Sequence, residues 1–260
     1  MVAALRWESD APVDEALCRD GQYHFLAPSF FKTLVELTRQ ERYFTVVIRT
    51  FGHDLEDVAA AVNAFAAGRH PRATCRHPTC EDIRLPPSLI WTGRYNSGEN
   101  ESFTLSREVE GQLEVIQEEN DVVSALELRH VARGVVACMD HYEWWRDHDY
   151  HPSAGKPLWI TEEEGKDVIE GEGEGEGDAN IQHIFFDDNI HNCGHDSIVA
   201  ARWRRHAGDD FRALSGEETR HLHGCHTVRV QSCEAFVDED YFLKRIAECE
   251  EEWRRRKLVN

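Results

Sequence analysis

The segment HIFFDDNIH sets Asp187 and Asp188 side by side where an apolar run gives out. Adjacent carboxylates at such a place suit Mg²⁺, which takes one or two carboxylates and fills its other positions with water and phosphate oxygens. VVIRTFG puts the Thr50 hydroxyl and Gly52 in a turn ahead of a helix, where backbone N–H groups also hold anions. AGKPLWI supplies Lys156, a point positive charge about thirty residues before the aspartates. Together these describe a phosphate site: Thr50, Gly52 and Lys156 hold the anion, and Asp187 and Asp188 hold the metal. Each also has an ordinary alternative, namely turn caps for the aspartates, a surface lysine for Lys156 and a turn hydroxyl for Thr50. Asp140, behind the apolar stretch Val135 to Met139, is a further residue at a strand's carboxyl end, where α/β sheets bind ligands.

Two groups of His and Cys invite a zinc reading: His70, Cys75, His77 and Cys80, and the run HLHGCH with His221, His223, Cys225 and His226. Neither contains the Cys-x-x-Cys or His-x-x-x-His knuckle usual in zinc sites, so zinc is not expected. Trp144 and Trp145 in HYEWWRDHDY read as packing residues.

These residues must be positioned by a chain of 260 residues, long enough for one large domain. Forty-nine Asp and Glu against 29 Lys and Arg leave a net charge of −20. That charge repels nucleic acid and anionic bilayers, so neither is an expected partner. No apolar run reaches a membrane span, and the opening MVAALRWESDAPVDEAL lacks the basic start and apolar core of an export signal. Eight scattered cysteines then read as reduced thiols, and the expected compartment is the cytoplasm.

Hydrophobic periodicity gives the elements. Phe30, Phe31, Leu34, Val35 and Leu37 predict a helix from Pro28 with Ser29 as its cap. YFTVVI, 43–48, predicts a strand covered on both faces. Asp54 is expected to cap a second helix carrying Leu55, Val58, Val62 and Phe65, closed by Gly68. Residues 69–118, rich in proline, are expected as an inserted cap-like segment ending in a hairpin around Gly111. A helix from Asp121 to Arg133, closed by Gly134, leads to the strand Val135 to Met139. EGEGEGEG, 170–177, can bury nothing and is expected as a flexible loop. IQHIFF predicts another buried strand, Asp196 a helix with Ile198, Val199 and Trp203, HTVRV a strand, and Asp238 a last helix with Phe242, Ile246 and Trp253. The sum is a single α/β domain on a Rossmann-like open parallel sheet.

The order of a strand ending in Thr50, Lys156 near a helix start and a strand running into Asp187-Asp188 resembles the haloacid dehalogenase-like (HAD-like) superfamily. The likeness spans 27–247 and is nearer to superfamily members carrying phrases such as IRTFG, PSAGKPLW and IFFDDNIH. It implies a Mg²⁺-dependent phosphohydrolase acting on a small phosphorylated molecule. Thr50 and Lys156 would be catalytic, Lys156 neutralising the transferred phosphoryl group and Thr50 bonding its oxygens, while Asp187 and Asp188 anchor Mg²⁺. The superfamily also places an Asp nucleophile and a second Asp two residues on behind a central strand. No acidic residue before the first helix follows such a strand, so the nucleophile strand is expected to be absent from 1–260. Either it lies upstream or the chain is a variant without it, in which case the second reading holds: a catalytically dead module that binds phosphate or another protein. The phosphate reading requires Thr50, Lys156, Asp187 and Asp188 to converge at carboxyl strand ends. YFTVVI and IQHIFF should flank that place across a gap or a substitute such as VAAL, 2–5.

Overall fold

The computed structural model describes residues 3–72, 82–97, 102–128, 131–162, 181–191, 197–206 and 208–259. In chain order the elements are α1 (Pro28–Arg39), β1 (Phe44–Thr50), α2 (Leu55–Ala66), β2 (Ile90–Asn96), β3 (Ser102–Val109), β4 (Gln112–Ile116), α3 (Glu119–Glu127) and β5 (Arg133–Met139). They continue with α4 (Tyr142–Asp147), β6 (Lys156–Thr161), β7 (Phe185–Asp187), β8 (Val199–Arg204), β9 (Arg212–Ala213), α5 (Gly216–Arg220), β10 (Thr227–Arg229), α6 (Ser232–Val237) and α7 (Tyr241–Val259). Two compact units result, Met1–Trp144 with Gln231–Lys244, and Trp145–Val230 with Arg245–Asn260. The chain therefore returns to the first unit after completing most of the second.

The first unit holds a five-stranded sheet in the order β1-β5-β2-β3-β4. β1, β5 and β2 run parallel, and β3 and β4 run antiparallel. The expected all-parallel sheet is thus corrected to a mixed one. The reason lies in 69–118: instead of forming a separate cap, its described strands extend the same sheet, and the hairpin around Gly111 is its edge. Phe44, Val46 and Ile48 of β1 meet Phe31 and Leu34 of α1 and Val58, Val62 and Phe65 of α2 in one apolar core. The Phe31 and Phe65 rings lie 4.9 Å apart; burying each contributes roughly 1.5–3 kcal/mol.

Helix ends differ from expectation in instructive ways. Ser29 lies inside the first turn of α1, because Pro28 already starts it, and its hydroxyl donates to the Ala235 carbonyl of α6 at 2.6 Å. Asp54 stands before α2 without a side-chain bond to its N–H groups. Gly68 does close α2: at φ 74° it lets its own N–H reach Phe65 O and that of Arg69 reach Ala64 O. α3 stops at Glu127, where Leu128 turns left-handed at φ 49°. Gly134 is therefore no helix stop but part of β5, and a Cβ there would lie 2.7 Å from the Leu128 side chain.

The second unit holds a sheet β6-β8-β9 and a parallel pair β7 and β10. Val199–Arg204, expected as a helix, is β8, parallel to β6 in full register. Its β-branched, apolar start favours a covered strand, and the pairing with LWI decides the matter. Asp196 and the acidic repeat 170–177 lie outside the described residues. The Gln182 amide donates to the carbonyls of Cys225 and Cys249 at 2.9 and 3.0 Å, tying α7 to the turn before β10. Cys18, Cys138, Cys225 and Cys249 are buried free thiols and Cys233 is an exposed one. Among the described residues no helix is long and apolar enough to cross a membrane.

Candidate functional site

At the carboxyl ends of β1 and β5 the side chains of Arg49 and Asp140 form a buried two-pronged ion pair, with Arg49 Nε on Asp140 Oδ2 at 2.8 Å and Nη2 on Oδ1. Burial alone would lower the guanidinium pKa, but the Asp140 charge and hydrogen bonds outweigh it and hold it above its usual value. Burial pushes the neighbouring Cys138 thiol up to about 12, and Asp140 adds to the shift. Above them Trp144 stacks on Tyr95 at 5.5 Å, and His141 Nδ1 accepts the Tyr95 N–H at 3.1 Å. Trp145 makes an edge contact with Tyr150, so both tryptophans engage in aromatic packing. Arg49 escaped the sequence reading because its partner is 91 residues away.

Thr50, next to Arg49, is held in a local turn. Its hydroxyl accepts the Gly52 N–H at 2.8 Å and donates to Asp54 Oδ1 at 3.2 Å. That use of Asp54 is why its carboxylate does not cap α2. A Cβ on Gly52 would lie 3.0 Å from Asp54 Oδ1, so the turn is close-packed around the hydroxyl.

In the second unit the phrase HPSAGKPLW has a local explanation. His151 accepts the Ser153 N–H at the head of a single 3₁₀ turn, Pro152 to Ala154, and Pro152 suits its first position. At Gly155 the backbone passes so close to Ile198 that a Cβ would lie 2.1 Å from its carbonyl oxygen. Lys156 then opens β6, its N–H on Ile198 O at 2.7 Å. Expected near a helix start at a carboxyl strand end, Lys156 is corrected to the amino end of a strand. The apolar PLWI behind it is pulled into the sheet, which leaves no helix to begin there. From this position Nζ reaches Asp187 Oδ2 at 2.9 Å.

The Lys156 and Asp187 side chains are 7% and 11% exposed. Asp187 ends β7, and its other oxygen, Oδ1, accepts the Asn189 N–H at 2.9 Å. Its carbonyl accepts the Val230 N–H at 3.0 Å, extending the pairing with β10. Asp188 is exposed in the turn and accepts from Asn189 Nδ2 at 3.3 Å. The structure thus joins Lys156, Asp187 and Asp188 in one unit, while Thr50 and Gly52 belong to the other. β1 and β7 lie in different sheets and do not flank a gap in one sheet. Ala3 to Leu5, proposed as part of a substitute strand, form a turn, after which Arg6 bridges to Tyr23.

Two carboxylates beside a cation suit a hydrated Mg²⁺ in donor type, since that ion needs few protein ligands. Among the described residues no three or more His, Cys, Asp or Glu form a metal-ligand group. His226 of HLHGCH bonds the His183 carbonyl through Nδ1 at 2.8 Å, and burial lowers its pKa to about 4. His70 packs against Phe31, Phe65 and the His24 ring, which lies 5.1 Å away. Burial, and secondarily His24, lower its pKa to about 4. Cys75, His77 and Cys80 lie outside the described residues. Compared with known proteins, the chain matches no family model, no curated protein and no solved structure.

Proposed function

We propose that the chain is a HAD-like domain that binds Mg²⁺ and the phosphate group of a small phosphorylated molecule in a phosphohydrolase-type site. The observation that carries this reading is the nearly buried ion pair between Lys156 and Asp187, with the exposed Asp188 adjoining it. An ammonium tolerates a change of partner: Asp187 and Asp188 would hold the metal, and the Lys156 ammonium would turn to a phosphoryl oxygen. Bound Mg²⁺ would supply charge neutralisation at that phosphoryl group. Lys156 supplies a second positive charge in a poorly hydrated place, where it acts more strongly than in water. The free thiols accord with a reducing, cytoplasmic setting.

Among the described residues no strand runs into Asp-x-Asp, which favours binding over turnover by these residues alone and supports the second reading, a phosphate-binding module without hydrolysis. Thermal melting separates the possibilities. Mg²⁺ with inorganic phosphate should raise the midpoint by several degrees, as expected for ligands that bind only the folded state. Asp187→Asn and Asp188→Asn together should remove the Mg²⁺ effect. A midpoint of the unmutated chain that ignores both ions defeats the reading.

A further inference from the structure

The hairpin of β3 and β4 ends the first unit's sheet in an edge whose geometry can be read residue by residue. Val109 and Gln112 pair across the two-residue turn Glu110-Gly111, whose φ angles are 52° and 77°. Two left-handed residues in succession make the turn type whose twist suits a tight hairpin. In such a hairpin the pair flanking the turn exchanges backbone hydrogen bonds, and bonded and non-bonded pairs then alternate. Gln112, Glu114 and Ile116 therefore spend their backbone groups on β3. Leu113 and Val115 direct theirs outward, past the end of the sheet order.

These two residues also carry the exposed apolar side chains of the strand, 72% and 46% exposed and on one face. The other face carries Glu114, paired with Arg107 at 2.7 Å. Glu108, opposite Leu113, is exposed on the first face, and Glu110 and Glu118 are exposed at the two ends of the strand. Natural edges are usually guarded by lysine, proline or a bulge, and QLEVI has none of these. A second copy of this chain would bring the same carboxylates against themselves. A basic segment would not.

We propose that β4 is a docking edge for an extended basic segment of a partner protein, which adds to the sheet as a sixth strand beyond β4. Its backbone bonds the outward groups of Leu113 and Val115. Apolar side chains at alternate positions cover those two residues, and Lys or Arg at the positions between them face Glu114, with Glu110 and Glu118 at the ends of the strand. Recognition of this kind takes affinity from the main chain and specificity from alternate side chains.

A fluorescent eight-residue peptide of alternating Lys and Val tests the proposal, with a peptide of the same composition in two blocks, Lys then Val, as the charge-matched control. At near-physiological salt the alternating peptide should bind about ten-fold tighter by anisotropy and slow hydrogen exchange at the Leu113 and Val115 amides. Val115→Pro removes an outward N–H and no ladder bond, so it should abolish the difference. Equal binding of the two peptides would reduce the edge to general electrostatics and overturn the proposal. So would unchanged exchange at β4 in the unmutated protein, or self-association through β4 in sedimentation without peptide.

Discussion

Each unit contains a buried cation on a strand-borne carboxylate, and the two pairs are built for different ends. Arg49 grips Asp140 with two prongs at the ends of two parallel neighbouring strands of one mixed sheet, so breaking the pair strands a charge in the core. Lys156 reaches Asp187 through a single ammonium from a strand in another sheet, and the second carboxylate oxygen is held by a backbone N–H. A forked, planar donor fixes geometry, whereas an ammonium tolerates a change of partner. The first pair locks a fold. Under the proposed function, the second is traded for a ligand.

Asp140→Ala should show the largest effect, a loss of about 3–5 kcal/mol in urea unfolding, because Arg49 stays buried without its counterion. Replacing both members, Arg49→Met with Asp140→Leu, should recover much of that loss, since an apolar pair of similar size carries no desolvation cost. No recovery would mean the pair orders more than its own charge. Gly155→Ala tests the other pair. With its Cβ driven into Ile198 O, the start of β6 must shift, and the expected cost is about 1–3 kcal/mol with loss of any Mg²⁺-dependent stabilisation.

Acid should act on both units through buried histidines, His24 and His70 in the first and His226 in the second, each with its pKa lowered by burial. His70 and His226 stay neutral in the fold down to about pH 4, while in the unfolded chain they take up a proton near pH 6.5. The unfolded state binds more protons in that window. Stability is therefore fully present above pH 6.5, falls between 6.5 and 4, and levels off below, by at most about 3 kcal/mol per histidine. His70→Phe, which keeps the ring packing, should flatten that slope in amides of α1 and α2 and leave it in β10, as read by hydrogen exchange. The smallest effect is expected from Thr50→Val, below about 1 kcal/mol in stability because its hydroxyl bonds are local and partly exposed.

Local signals were the legible part of this chain. The uninterrupted apolar run of β1, the helical spacing in α1 and α2 and the glycine that closes α2 each act over a few residues. β8 was misread as a helix because VAARWR has neither clean alternation nor enough length to set its period. Lys156 and Asp187 could be singled out from residue type and spacing. Their contact depends on Gly155 letting the chain pass over Ile198, which no periodicity encodes. Arg49, and its pairing with Asp140, were opaque for a related reason: Arg49 looks ordinary until parallel pairing of β1 with β5 sets Thr50 opposite Met139 and brings the two charges together.

The return of Gln231–Lys244 to the first unit has a consequence for biosynthesis. Ser29 waits for Ala235, and Lys32 waits for Asp240, 2.8 Å from it in the finished fold. A ribosome delivers those partners only after it has made the whole stretch Trp145–Val230. At about 5–20 residues per second the first unit must persist unfinished for on the order of ten seconds. α1 is thus the element that waits for these late partners, and the order of translation bears on how this chain reaches its native state.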